Sequence, residues 1–371
     1  MKLKNSCYIL LVLALILILA GPELRAVNIG GQVEFNLEYN INESKIIETI
    51  KFQPSLRSWI GADIYFESEI NLLARGQELD YDIEKLQITY YGLNTDYIIG
   101  FQEVNWGAVD GRSPVDNINP RDLRWPVSEN NKIPVPAFRM KNYQQTYELD
   151  FIWQPVSVPA RLPDGQMNSL TQKLLENKIT NSTLALRLSH SNPGYDLGAS
   201  IYRGSSGTPV LVVSETDREA VLKYYLETVL GGEAVIEAGA SIIRADIAAA
   251  FPESGDYYPD NTIRFAASLE RNLTPELFVL AGVQGEKELG APAEKYLILN
   301  SSYQLDFSRN FDFTGIFDID TGDSLFRPSF NYNVADGINL EAGALIFPGE
   351  QNSIGSMNSN NQIYLTTTIS F

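Results

Sequence analysis

With 371 residues, 28 basic against 46 acidic side chains and a net charge of −18, the chain cannot present a surface that binds nucleic acid or another polyanion. Its one cysteine excludes a disulfide framework and thiolate metal sites. Aromatic residues make up 11% and fall in alternating runs, which excludes the disordered acidic protein that such a charge could otherwise describe.

At the start of the chain, Lys2 and Lys4 precede an almost continuously apolar run from Cys7 to Ala20, which Gly21 and Pro22 break before Ala26. This predicts a secretory signal peptide over residues 1–26, since an apolar core of about fourteen residues is short of the roughly 20 that a spanning helix needs. Cys7 lies inside the signal and not at the end of a lipobox, so no lipid attachment is expected. Removing Lys2, Lys4 and Arg25 from the 28 basic residues and Glu23 from the 46 acidic ones leaves 25 against 45 in residues 27–371.

From residue 32 onward the chain reads as strands of about 8 to 12 alternating residues. Val33, Phe35, Leu37 and Tyr39 share one face of 32–40, opposed by Gln32, Glu34, Asn36 and Glu38. The same alternation returns at 147–153, 297–307 and 311–319. The last strand, 363–371, places Ile363, Leu365, Thr367, Ile369 and Phe371 on one face against Tyr364, Thr366, Thr368 and Ser370. One apolar face and one small polar face describe a strand with lipid outside and water inside, and only a closed barrel lets such strands satisfy their backbone groups in a bilayer. The fold class is therefore an all-β, transmembrane antiparallel barrel.

Barrels of this kind alternate short turns with longer external loops, so connection lengths check the strand count. Long connections read at 41–45, 71–82, 104 onward, 154–180, 204–217, 244–260, 286–293, 320–323 and 348–360. Tight ones read near Pro54, at 93–95, 142–143, 191–194, 231–232, 272–275, 308–310 and 334–337. Counting 133–141 as a strand despite Pro134 and Pro136 gives 18 strands, with 16 as the competitor. Helical spacing of Met167, Leu170, Leu174 and Leu175 predicts a short helix in the external loop, and 195–213 is expected to extend the wall above the membrane. Residues 106–132 are too long for an idle connection, and with the preceding residues (104–132) they form the expected lumen loop.

Within that loop, Gly107 and Gly111 permit backbone shapes closed to other residues, Pro114 and Pro120 fix φ, and Asp116, Asn117, Asn119 and Asp122 can close local turns. Such a loop can be rigid without regular structure. The expected constriction residues are Trp106, Gly107, Asp110, Arg112, Asp116, Asn119, Pro120, Arg121, Asp122 and Arg124, with the three arginines facing an acidic wall. A plug that only braces the barrel is the alternative. The spacing of Asp110, Asp116 and Asp122 is not that of an EF-hand, so no metal site is expected.

Residues 98–125 resemble a family of bacterial outer-membrane barrels of unassigned function that carries a Gly-Arg-Gln strand, then Trp-Gly, then Asn-Pro-x-Asp. Gly100, Gln102, Trp106, Gly107, Asn119, Pro120 and Asp122 match that pattern, and Phe101 stands where the family more often has Arg. A second match runs from Lys132-Ile133-Pro134-Val135-Pro136 through Phe151-Ile152-Trp153-Gln154-Pro155 to Arg161-Leu162-Pro163. The resemblance implies an outer-membrane location and recognition of the aromatic-ended last strand, Phe371, by the barrel assembly machinery. Some relatives are linked to export of lipids or other hydrophobic compounds, which the resemblance carries over only weakly.

Nothing in the pattern calls for catalysis. His190, the one histidine, continues the lipid-facing register of Leu184, Leu186 and Leu188, and no serine is paired with it. Glu148 and Asp150 read as solvated wall charge. Trp59, Trp106, Trp125 and Trp153 read as interfacial girdle or loop anchors. By strand parity, the lumen wall presents Glu34, Glu38, Asp63, Glu67, Lys85, Glu148, Asp150, Lys223, Glu227, Glu237, Arg264 and Glu270. The excess of acids predicts a cation-leaning passive channel for small solutes, needing no cofactor and partnered by outer-membrane lipid. The alternatives are a barrel for hydrophobic or lipid-like compounds, which apolar lumen residues in 278–282 would support, and a structural or surface-binding barrel without transport.

Overall fold

The computed structural model describes residues 27–76, 78–124, 132–162, 170–213, 220–255, 257–349 and 360–371. The expected signal peptide over 1–26 lies outside the described residues, as do Trp125 and Met167. The first strands are β1 (Asn28–Asn40), β2 (Lys45–Ile60), β3 (Ile64–Arg75), β4 (Glu78–Tyr91), β5 (Thr95–Gln102), β6 (Val135–Gln144) and β7 (Tyr147–Gln154). The middle of the chain adds β8 (Thr171–Lys173), β9 (Thr183–Asn192), β10 (Tyr195–Ser205), β11 (Val210–Val213), β12 (Ala220–Lys223), β13 (Leu226–Ala238) and β14 (Ser241–Pro252). The remainder is β15 (Thr262–Asn272), β16 (Leu277–Glu288), β17 (Glu294–Gln304), β18 (Arg309–Asp318), β19 (Ser324–Ala335), β20 (Ile338–Leu345) and β21 (Gln362–Ser370).

All but β8, β11 and β12 form one 18-stranded sheet in which each strand is antiparallel to the next along the chain. The sheet closes on itself: β1 pairs with β2 on one edge and with β21 on the other, from Gln32 opposite Ser370 to Asn40 opposite Gln362. Phe371 extends the seam, exchanging two backbone hydrogen bonds of 3.0 Å with Gly31 and stacking on Phe52 with ring centroids 6.2 Å apart. Closure leaves no edge strand with unpaired backbone groups, the condition for crossing a bilayer with strands.

The alternation read from the sequence sorts the faces. Leu184, Leu186 and Leu188 on β9, or Ile363, Leu365 and Ile369 on β21, are exposed on the outside, while their neighbours one residue away point to the interior. One end carries only short turns, at 61–63, 92–94, 145–146, 193–194, 239–240, 273–276, 305–308 and 336–337. The other end carries the long connections, above all 103–134, 155–182, 206–225 and 346–361. Both termini of the barrel lie at the short-turn end. Outward-facing Tyr90, Tyr97 and Phe138 form a row of rings there, with centroids 6.3 and 6.4 Å apart, and Tyr147 and Tyr195 flank His190. Such a belt suits the interface between lipid and water.

Several expected turns fall elsewhere. Pro54 lies within β2: the β2–β3 pairing passes from Phe52 opposite Leu72 to Ser55 opposite Glu69, skipping the position where proline has no N–H to give. Gly231 and Gly232 lie in the middle of β13, and the turn comes at 239–240. Residues 244–252 continue β14, and the connection expected at 71–82 shrinks to 76–77 because β3 and β4 pair to Arg75 opposite Glu78. The turn expected at 142–143 comes at 145–146. Each displacement moves a turn along its hairpin without adding or removing one, so the count of 18 stands.

The helix expected over 167–178 is absent from its described part, 170–178. Thr171, Gln172 and Lys173 instead pair in parallel with Val221, Leu222 and Lys223 of β12, which pairs on its other side with β11. Leu222 is fully buried in this small three-stranded sheet, so tertiary pairing overrides the helical spacing of the leucines. Val210–Val213 belongs to that sheet and does not extend the barrel wall.

Candidate functional site

After β5, the chain turns inward and runs along the inner wall. Trp106 Nε1 donates to Asp150 Oδ2 of β7 at 3.0 Å, and further on the backbone N–H groups of Ala108 and Val109 donate to the Asp246 carboxylate of β14 at 2.9–3.1 Å. Asp150 and Asp246 stand on strands with β9, β10 and β13 between them, so only the inside of the barrel lets one short segment reach both. Asp150 is itself held by Arg139 of β6 through two hydrogen bonds, of 2.9 and 2.6 Å, which fixes the acceptor for the indole.

Between these anchors the contact is apolar. Val104, Trp106, Val115 and Ile118 form one buried cluster with Val135, Ala137, Ile152, Ala185, Tyr202, Val229, Ala248 and Ala250 of the wall. Val115 sits over Gly231, where an added Cβ would lie 2.6 Å from Val115 Cγ1. The gap left between the loop and β7, β9 and β10 is about 10 Å³, room for no more than a water. At Gly107 the backbone takes φ +103°, and a side chain would strike Ser113 and Asp246.

The loop is also tied to itself. Asn119 accepts from the Val104 N–H at 2.8 Å and donates to the carbonyls of Gln102 and Ile133 at 3.0 and 2.9 Å, joining the outgoing and returning strands. Pro120 O accepts from the Ile133 N–H at 2.8 Å. Lys132 pairs with Asp116, which Arg121 also approaches at 3.9 Å. Burial raises the Asp116 carboxyl above its usual range, and Lys132 and Arg121 offset this only in part.

A second clasp lies at the far side of the loop. Arg124 binds Asp122 in bidentate fashion and lies 3.5 Å from Asp80 of β4, while Arg161 pairs with Asp82 of β4 and lies 3.3 Å from Asp122. Backbone hydrogen bonds between Leu123 N–H and Arg161 O, at 2.7 Å, and between Arg161 N–H and Arg121 O, at 3.1 Å, stitch the two external loops together. Burial alone would raise the Asp122 carboxyl, but the hydrogen bonds and charge of Arg124, with Arg161, outweigh it and hold Asp122 below its usual value.

The expected constriction residues therefore divide. Trp106, Gly107, Asp116, Asn119, Pro120, Arg121, Asp122 and Arg124 take part in these contacts, whereas Asp110 and Arg112 are exposed. Of the arginines, Arg124 meets the acidic wall and Arg121 turns to Asp116 within the loop. Asp110, Asp116 and Asp122 are not gathered into one site.

On the wall, register places Glu34, Glu38, Glu67, Lys85, Glu148, Asp150, Glu227, Glu237, Arg264 and Glu270 on inner-face positions. Two expected wall residues are not on the wall. Lys223 lies on β12 in the external sheet, 5.3 Å from the centre of the Tyr258 ring, and Asp63 lies in the 61–63 turn. Trp59, read as interfacial, shares the inner face with Arg57 and stacks with Tyr65 and Tyr91. Asp150 was expected on the wall, but Asp246 and Arg244, which also hold the loop, were hidden because they fell within the connection read at 244–260. Their period-two spacing with Ala248 and Ala250 was the signal that could have found them.

Among the described residues, the loop and its clasp touch β4 to β7, β9, β10, β13 and β14, eight of the 18 strands. Among the described residues, no contact of the loop reaches the wall from β15 round to β3, which is mostly polar apart from Phe278 and Leu280 on β16. A recess in it, of about 220 Å³, is lined by Asp312, Thr314, Arg327, Ser329, Asn331 and Glu341.

No family model matches the chain, and no curated protein matches it. Among solved structures, OccD3 (OpdP) of Pseudomonas aeruginosa superposes with a TM-score of 0.59 at 10% identity, covering 95% of this chain and 92% of that one. OmpT of Vibrio cholerae, with its loop L8 deleted, gives 0.49 at 9% identity over 93% and 99%. A mutant of Rh. blastica porin gives 0.47 at 11% over 93% and 100%. The likeness lies in the fold: this chain is a closed, porin-like antiparallel barrel of the outer-membrane kind.

Proposed function

We propose that the protein is a passive outer-membrane channel for small polar solutes, with its bore narrowed by residues 104–124 and a preference for cations. One observation carries the reading: the inward loop is fastened along one side of the wall, by Asp150, Asp246 and the Asp80–Asp82 pair, and leaves the other side lined by charged and amide side chains. A plug that only braced the barrel would have no need of an uncovered polar face. The wall holds more bases than strand parity alone suggested, including Arg139, Arg187, Arg244 and Arg327. Most are paired with acids: Arg187 with Glu233, Arg244 with Glu270 and Arg327 with Glu341 neutralise one another, while Asp312 adds a negative charge on the open side that no ion pair among the described residues offsets.

The test is the single-channel conductance of the refolded protein in a planar bilayer, before and after deletion of 106–132. A steady conductance that rises on deletion, with a reversal potential favouring cations at low salt, supports the reading. A folded barrel that conducts in neither form rejects it. A second reading, passage of hydrophobic compounds, is favoured by Phe278 and Leu280, which register places on the inner face of β16 while Val279 and Ala281 face out. Uptake of a lipophilic dye by vesicles that hold a non-conducting barrel would move the weight there.

A further inference from the structure

The recess on the uncovered wall has a chemistry of its own. Its floor is made by short side chains, Thr314 of β18 and Ser329 of β19, and beside them Gly343 of β20 stands opposite Ser329. An added Cβ at Gly343 would meet the Tyr364 ring at 2.5 Å, so glycine is what lets Tyr364 fold down against the wall. The Tyr364 hydroxyl then donates to Glu341 Oε1 at 2.8 Å and accepts from Arg327 Nε at 3.3 Å, and Arg327 Nη2 lies 3.4 Å from Glu341. One end of the recess is thus a fixed guanidinium.

The other end is a carboxylate without a cation. Asp312 Oδ2 accepts from the side-chain amides of Asn310 at 2.5 Å and Asn331 at 2.8 Å. Both bonds fall on that one oxygen, and among the described residues no ion pair reaches Asp312. Two neutral donors hold the carboxylate in place and leave its charge and its Oδ1 lone pairs for something else. Asp312 stands opposite Ser329 and Arg327 opposite Thr314 on neighbouring strands, so the acid and the guanidinium are one diagonal step apart on the same face. The volume of about 220 Å³ holds a solute of roughly six to eight heavy atoms with its waters.

We infer that this recess is a binding station for small zwitterions, with the solute ammonium on Asp312 and its carboxylate on Arg327. The inference rests on the channel reading above and names the class of solute it passes. An ammonium alone would bind more weakly, through Asp312 only, and a lone carboxylate would be repelled by Asp312 and Glu341.

The probes are serine, ethanolamine and acetate, titrated calorimetrically into the folded full-length barrel in detergent micelles and, separately, added to the single-channel recording. Serine binds the unaltered protein and interrupts its current, ethanolamine binds less well, and acetate does not bind. Asp312→Asn weakens serine and ethanolamine by about tenfold or more, the loss expected of a charged hydrogen bond. Arg327→Gln weakens serine similarly and leaves ethanolamine unchanged or tighter. Heat-dependent gel migration establishes that each variant still forms the barrel. No serine binding to a conducting barrel, acetate binding as well as serine, or serine affinity unchanged in Asp312→Asn overturns the inference while the channel reading stands. Serine binding to a barrel that does not conduct overturns the channel reading and keeps the station.

Discussion

The two sides of the barrel wall are built from the same alternating strands but solve opposite problems. Along β6 to β14 the inner face carries Ala137, Ile152, Ala185, Val229, Gly231, Ala248 and Ala250, small or apolar positions that accept a loop. From β17 to β21 the same positions carry Asn300, Ser302, Asp312, Arg327, Ser329, Asn331, Glu341 and Thr366, which accept water. The difference teaches that a lumen loop needs no specific strand geometry. It needs a dry landing strip with charged anchors at its ends.

The largest way to break that contrast is Asp246→Ala. It leaves the Ala108 and Val109 N–H groups without their acceptor and should cost the docked loop about 2–4 kcal/mol. Limited proteolysis within 104–124 then speeds up while the barrel persists; unchanged protection would show that the apolar contact alone holds the loop. Gly231→Val is next. Its side chain would collide with Val115 and with Ser200 Oγ, 2.5 Å from the added Cβ, at about 1–3 kcal/mol, and the same assay reports it.

Acid probes the clasp. Asp122 is held below its usual value, so its contribution is present above the ordinary carboxylate value and is lost only as pH falls through the lowered one. Asp116 is raised, so its contribution has the opposite sign, present at low pH and lost as pH rises through its raised value. Amide hydrogen exchange of 104–124 should therefore stay slow from neutral pH down to about 4 and quicken below it. Release already at about pH 6 would place the controlling group elsewhere. The smallest effect belongs to the uncovered side: Glu341→Gln should leave loop protection unchanged and lower the cation preference slightly, read as a shift in reversal potential.

How far the sequence revealed this depends on what each residue answers to. The terminal strand, the outward rows of leucine and the long loop were legible because lipid and water impose period two on every residue of a strand. Gly231 was not, because its reason is Val115, more than a hundred residues away. The leucines at 170–175 kept a helical spacing that pairing with 221–223 overrode. Trp106, Asn119 and Asp122 stood out by type and spacing, and Asp150 by strand parity, but which side chain meets which was not legible, because it is set by strand register and by the backbone pairing of 121–123 with 161.

The seam between β1 and β21 sets the order in which the protein can be made. Every other pairing in the 18-stranded sheet joins strands consecutive around the barrel and near in sequence, whereas Thr366 Oγ1 meets Asn36 across 330 residues. The hairpins can form as local events with little entropy to overcome, and one late closure must bring the two ends of the chain together. Until Phe371 reaches Gly31, two strand edges stay open, so the slow step in folding is also the step that hides them.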